Sequence, residues 1–195
     1  MIFLFKKRRL QNWGGLPNLK GMITEVLPDW LAKYCRKISD FGVFGEENVA
    51  NHVLVNEYLP SQGIMPHVDG PMYYPTVSTI SIGSHTLLDF YKPLNSDNEA
   101  TNKEEDRYVF SLLIEPKSLL ILQEDMYKIY LHGIRELKED VIKDKANTIL
   151  NYDLLDDKFK FKDVAERQTR ISLTIRFVPK TLKLNSSNLF TKKKI

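Results

Sequence analysis

The stretch TRISLTIRFV, residues 169 to 178, alternates without interruption. Side chains on a strand project to opposite faces with period two, so Arg170, Ser172, Thr174 and Arg176 share one face, and Ile171, Leu173, Ile175 and Phe177 share the other. The apolar face must be covered by other parts of the chain. The polar face, with a guanidinium at each end, fits two environments. On the outside of a sheet it meets water, which is the simpler reading of this strand taken alone. Inside a barrel it makes an anion site, because the guanidinium fork matches a carboxylate in bidentate fashion.

The rest of the chain decides what kind of fold holds such a strand. Segments 52–59, 77–82, 85–91, 108–114, 118–122 and 127–132 are rich in β-branched, aromatic and aliphatic residues, and Gly, Pro, Ser or Asn separate several of them. Ahead of them, DWLAKYCRKISDF carries Trp30, Leu31, Tyr34 and Ile38 at helical spacing behind Pro28 and Asp29, which predicts one helix. The stretch from Gln11 to Gly21 is broken by Gly and Pro. One helix followed by many short strands predicts a mainly β chain with a supporting helix (α+β), a sandwich or barrel. A length of 195 residues suits a single domain over 1–195.

Composition removes several function classes. The single cysteine, Cys35, excludes an internal disulfide framework and any multi-cysteine zinc site and points to a reducing compartment. Met1 to Phe5 is too short for a signal-peptide core, and no run of about 18 apolar residues follows, so no membrane association is expected. Positive charge gathers in Lys6-Lys7-Arg8-Arg9 and Lys192-Lys193-Lys194, either as solvated tails or as phosphate contacts and nuclear address signals. Asp97 to Arg107 and Glu136 to Lys145 are mixed in charge and are expected to be exposed loops or a solvated helix face.

His67 and Asp69 stand two apart on an extended segment and could reach one ion. Two histidines and one carboxylate can hold non-haem Fe(II) with positions left open. Four histidines and thirteen aspartates in 195 residues supply such a pair by chance in about one shuffled chain in four, so the pair alone is weak. Of the other histidines, His85 is expected in a turn and His52 ahead of a strand, each an ordinary surface or hydrogen-bonded histidine. His132, expected to end the strand YKIYLH before Gly133, is the better third ligand, with a plain strand-end role as its alternative.

The order Asn56-Glu57-Tyr58, His67-Val68-Asp69, His132, then Arg170 and Arg176 closely resembles the AlkB family of Fe(II)- and 2-oxoglutarate-dependent dioxygenases. The resemblance runs from about Arg9 to Pro179 and rests on NHVLVNEYLPSQGIMPHVDGPMYYPTVSTISIGSHTLLDFY, RISLTIRFVP and LQNWGGLP. It implies a double-stranded β-helix (jelly-roll) core over 51–133 and 169–179. Around that core it implies an N-terminal cover over 1–50, a charged insertion over 134–168, a basic tail over 180–195, and a shortened or divergent N-terminus. Position by position it implies His67, Asp69 and His132 as iron ligands. Asn56, Tyr58 and Arg170 would hold 2-oxoglutarate, with Arg176 near its metal-binding end and Ser172 adding a weaker contact.

The family chemistry consumes O2 and 2-oxoglutarate at Fe(II), gives succinate and CO2, and hydroxylates an N-methyl carbon so that formaldehyde leaves. Methylated nucleic acid, RNA or DNA, is the expected substrate. Trp13, Met72, Tyr73 and Tyr74 are candidates to stack on or cover a base, with ordinary packing as their alternative. A protein side chain on the same scaffold, or nucleic-acid binding with little catalysis, are the competing functions. The expected state is a monomer in nucleus and cytoplasm.

Overall fold

The computed structural model of the chain describes residues 8–95, 103–143 and 147–182. The terminal runs Lys6-Lys7 and Lys192 to Lys194, and Met1 to Phe5, lie outside the described residues. In chain order the elements are β1 (Arg9–Trp13), β2 (Met22–Ile23), α1 (Asp29–Ser39), β3 (His52–Tyr58), β4 (Ile64–His67), β5 (Thr76–Ile82), β6 (Thr86–Tyr91) and α2 (Glu104–Arg107). Then come β7 (Tyr108–Ile114), β8 (Leu119–Gln123), α3 (Glu124–Lys128), β9 (Leu131–Ile134), β10 (Glu139–Val141), α4 (Asp157–Lys160), β11 (Val164–Glu166), β12 (Arg170–Arg176) and β13 (Thr181–Leu182).

Two antiparallel sheets carry the architecture. The major sheet runs β1-β3-β12-β5-β8 and the minor sheet β4-β9-β6-β7, so the chain passes back and forth between sheets as a double-stranded β-helix must. β12 is a central strand, bonded to both β3 and β5. Its Leu173 and Ile175 join Leu31, Cys35, Ile38, Phe44 and Val53 in one buried cluster, so α1 covers the outer face of the major sheet. That leaves the polar face of β12 turned into the space between the sheets. The water-facing reading of the strand fails for this reason: the helix claims the apolar face from outside, and the two arginines are enclosed with exposures of only 5% and 6%.

α1 buries Leu31, Cys35 and Ile38, an i, i+4, i+7 stripe. Trp30 and Tyr34, expected on that stripe, are exposed beside it. Burying the Leu31 and Ile38 side chains contributes about 1.5–3 kcal/mol each. No helix among the described residues is long and apolar enough to cross a membrane.

Three further expectations change. Residues 127–132 are not one strand: α3 takes Glu124 to Lys128, with Glu124 and Asp125 in its first turn and Tyr127 buried, and the strand begins only at Leu131. A six-residue apolar-polar alternation cannot by itself separate a buried turn of helix from a strand. Gln11 to Trp13, placed among Gly and Pro breaks, form the end of β1, paired on β3 in continuous register. Arg9 therefore belongs to the edge of the major sheet, and Arg8, just ahead of it, is tied to Asn56 rather than part of a loose tail.

The third change is the segment from Glu136 to Lys145. β10 pairs with β11, and Ile142, Ile149, Leu155, Phe159 and Ala165 pack on Leu87 and Leu113 of the minor sheet. Asp140 is fully buried, and Arg167 holds both its oxygens, from Nε at 2.8 Å and from Nη2 at 2.7 Å. Burial alone would raise the Asp140 carboxyl, but the Arg167 and His85 contacts win and hold it down at about 2. Most described residues of this segment stay exposed as expected, while Ile142 packs on the minor sheet and Asp140 is buried against Arg167.

Candidate active site between the sheets

Alternation on β3 and β12 sorts their side chains. Leu54, Asn56 and Tyr58 of β3 and Arg170, Ser172, Thr174 and Arg176 of β12 line one cavity between the sheets, which His67, Asp69 and His132 also line. The cavity has two chemically different ends. β3 and β12 run antiparallel with Tyr58 opposite Arg170 and His52 opposite Arg176, so each arginine marks one end.

At the Arg176 end, His67 and His132 are cross-strand partners on β4 and β9, with ring centroids 4.5 Å apart. Gly133 makes this pairing possible. A Cβ there would stand 3.0 Å from the Ile64 carbonyl oxygen and 3.0 Å from the Pro66 nitrogen, where β4 shifts register against β9. Pro66 is tolerated because β4 is an edge strand.

His67 Nδ1 lies 2.9 Å from the Met65 carbonyl. A carbonyl only accepts, so Nδ1 is the donor and Nε2 is the nitrogen turned to a metal, the arrangement usual for a metal-ligating imidazole. Burial, with His67 beside it, pulls His132 down to about 4, so His132 is neutral near pH 7.

Asp69 accepts a hydrogen bond on Oδ1 from Arg176 Nη2, while its Oδ2 is buried without a partner, as is Nδ1 of His132. Two imidazoles and a carboxylate with one oxygen free are a donor set that suits Fe(II). Among the described residues no three His, Cys, Asp or Glu groups already stand together as a metal cluster.

At the other end Arg170 is buried, donates from Nη2 to Ser81 Oγ at 2.8 Å, and leaves Nε buried without a partner. Burial lowers it to about 10, still cationic at neutral pH. No carboxylate of this chain pairs with it among the described residues. An isolated buried charge is costly, so the site suits an anion delivered from outside. Asn56, Tyr58 and Ser172 stand along the same wall. A ligand with a carboxylate at each end, one toward the histidines and one toward Arg170, matches the two ends.

The four aromatic and methionine candidates separate. Tyr73 lies against the Arg176 guanidinium, 4.7 Å from its ring centroid, and Met72 sits beside Gly70. Trp13 pairs with Val53 and packs on the α1-side cluster, and Tyr74 packs between Phe44 and Phe177 on that same side. These two belong to the outer core, across the sheet from the cavity, because odd-numbered positions of β3 face the helix.

Sequence reasoning passed over three residues. His52, expected as an ordinary surface or hydrogen-bonded histidine, is buried 5.6 Å from the Tyr73 ring with neither ring nitrogen partnered. Ser81, the partner of Arg170, had only the alternation of VSTISI to mark it. Arg8 lines the cavity too, and strand alternation next to Arg9 was its sole signal. His85 is buried in the turn before β6, its Nε2 3.4 Å from Asp140, and has no part in the cavity.

The model of the 2OG-Fe(II) oxygenase superfamily matches residues 7–176. The zebrafish (Danio rerio) protein described as "Probable RNA/DNA demethylase ALKBH6" is 56% identical over 188 residues, covering 96% of this chain and 76% of the relative. An Acanthamoeba polyphaga mimivirus protein, "Uncharacterized protein L905", is 30% identical over 79% of this chain and 61% of its own length. The Xenopus tropicalis "tRNA (carboxymethyluridine(34)-5-O)-methyltransferase alkbh8" is 27% identical over 78% of this chain, a match that spans 22% of that protein. With the jelly-roll and its two-ended cavity, these likenesses make the chain a member of the 2OG-Fe(II) oxygenase superfamily and, within it, of the AlkB family: a 2-oxoglutarate-dependent dioxygenase that works with Fe(II), 2-oxoglutarate and O2.

Proposed function

We propose that this dioxygenase removes N-linked methyl groups from RNA or DNA in the nucleus and cytoplasm, releasing formaldehyde, succinate and CO2. The observation that carries the reading is the pairing of opposite ends in one cavity: a histidine pair and a half-free carboxylate at one, and at the other a guanidinium with no acid partner among the described residues. In this reading His67, Asp69 and His132 hold the iron, and Arg170 takes the distal carboxylate of 2-oxoglutarate with Asn56, Tyr58 and Ser172 beside it. When bound, Fe(II) and 2-oxoglutarate supply the oxidising power for C–H hydroxylation with O2.

The chain's own residues do the positioning. Arg176 keeps Asp69 oriented, so that its second oxygen is offered to the metal. The Met65 carbonyl keeps His67 in the tautomer that can ligate. The apolar walls from Leu88, Ile114, Leu120 and Leu122 limit water at the reacting centre. Tyr73 and Met72, at the metal end, are the side chains available to lie against a methylated base. The name of the zebrafish relative favours nucleic acid as the substrate class.

The test is a mass-spectrometric comparison of N-methylated RNA, N-methylated DNA and methylated peptides incubated with the protein, Fe(II), 2-oxoglutarate and O2. Loss of the methyl group from an oligonucleotide, with formaldehyde in equal amount, is the expected result. Modification of the peptides alone would transfer the activity to protein side chains.

A further inference from the structure

Arg8 leads directly into Arg9, the first residue of β1, and the two side chains go to opposite faces of the sheet edge. Arg9 pairs with Glu57, and its side chain is 75% exposed. Arg8 turns inward and lines the cavity. Its Nε donates to Asn56 Oδ1 at 3.1 Å, and its guanidinium lies over the Tyr58 ring at 5.8 Å, the same ring that Arg170 approaches at 5.5 Å.

We propose that Arg8 is a further residue of the co-substrate site, one that orients Asn56 and makes the Arg170 end selective for a dicarboxylate. The proposal rests on the co-substrate reading of the cavity and adds to it. A side-chain amide can present either a donor or an acceptor. With Oδ1 already taken by Arg8, the Asn56 amide is left to offer its Nδ2 donors, which is what a carboxylate needs. Arg8 also brings a second cation to an end of the cavity that already holds one. Among the described lining residues the only carboxylate is Asp69, which Arg176 holds at the opposite end. Two guanidiniums on one aromatic ring, with no acid of the chain between them, repel each other until an anion arrives. A 2-oxoacid ending in a carboxylate satisfies both, and one ending in a methyl group satisfies neither.

The experiment is calorimetric titration of the Mn(II)-loaded protein with 2-oxoglutarate and with 2-oxopentanoate, a 2-oxoacid of equal chain length lacking the distal carboxylate. Arg8→Ala is expected to weaken 2-oxoglutarate about tenfold, equivalent to about 1.4 kcal/mol, while leaving 2-oxopentanoate unchanged. Arg8→Lys keeps the charge but not the fork on Asn56 and falls between. Arg9→Ala, which points away from the cavity, leaves both affinities unchanged and controls for disturbance of the edge strand.

Unchanged 2-oxoglutarate binding in Arg8→Ala, with Arg170→Ala impaired, would overturn the proposal alone. Equal weakening of both ligands in Arg8→Ala would reduce Arg8 to a structural role and overturn it as well. A wild-type protein that did not prefer 2-oxoglutarate to 2-oxopentanoate would overturn the co-substrate reading itself, and the proposal with it.

Discussion

Arg170 and Arg176 lie on one face of one strand and are buried to nearly the same degree, 5% and 6% exposed, yet they are opposite in kind. Arg176 has a carboxylate partner within the chain, Asp69, and an aromatic ring beneath it, Tyr73. Arg170 has the neutral Ser81 hydroxyl and the Tyr58 ring, and no acid among the described residues. A paired buried charge is part of the fold's own bookkeeping. An unpaired one is a demand on something outside the chain. Under the proposed function, the difference fits Arg176 to positioning a ligand group and Arg170 to receiving a ligand.

The comparison predicts opposite signs for the same substitution at its two positions. Arg176→Met leaves the Asp69 carboxylate buried and unpaired, and should destabilise the metal-free protein by about 3–5 kcal/mol in urea unfolding. Arg170→Met removes a charge that nothing in the chain compensates, so the metal-free protein should be as stable as the wild type or more so. Its defect should appear in 2-oxoglutarate binding instead, as a loss of about 2–5 kcal/mol by calorimetry. If both variants lost stability alike, the distinction between the two ends would fail.

Smaller effects sharpen the metal end. Gly133→Ala places a methyl against the backbone of Ile64 and Pro66, and should cost about 1–3 kcal/mol as β4 is forced outward. Mn(II) affinity should fall with it as His67 leaves His132, and the Arg170 end should be unaffected.

His52 and His132 provide a titration signature. Burial is the main cause that brings both down to about 4, so between pH 6.5 and 4 the unfolded chain binds protons that the folded chain refuses. Stability therefore falls as pH falls through that window, by roughly 1 kcal/mol per histidine between pH 6.5 and 5.5. Each His→Phe variant should flatten the slope of urea midpoints against pH.

Much of the framework was legible in the chain. The alternation of RISLTIR sorts its side chains correctly, and most strands fall where β-branched and aromatic runs put them. Alternation does not say which face is enclosed. That was settled by α1, whose Leu31, Cys35 and Ile38 take the apolar side from without.

The same gap explains Trp13 and Tyr74, aromatic candidates to stack on a base with ordinary packing as their alternative, which the odd positions of β3 and the Phe44–Phe177 pair draw into the outer core. Asp140 with Arg167, and Arg8 with Asn56, depend on partners 27 and 48 residues apart, and no local pattern announces such pairs. Arg8 in particular was hidden in a basic run whose bland reading, solvated charge, holds for Arg9 next to it.

The most direct test of the two-ended cavity is the thermal midpoint of the Mn(II)-loaded protein with and without saturating 2-oxoglutarate, in the wild type and in Arg170→Met. A ligand at one hundred times its Kd stabilises by about 2.7 kcal/mol. The wild type should show a clear upward shift, and Arg170→Met should show little or none while matching the wild type without ligand. An equal shift in both proteins would contradict the assignment of Arg170 to the co-substrate, and with it the reading of its buried, unpaired charge.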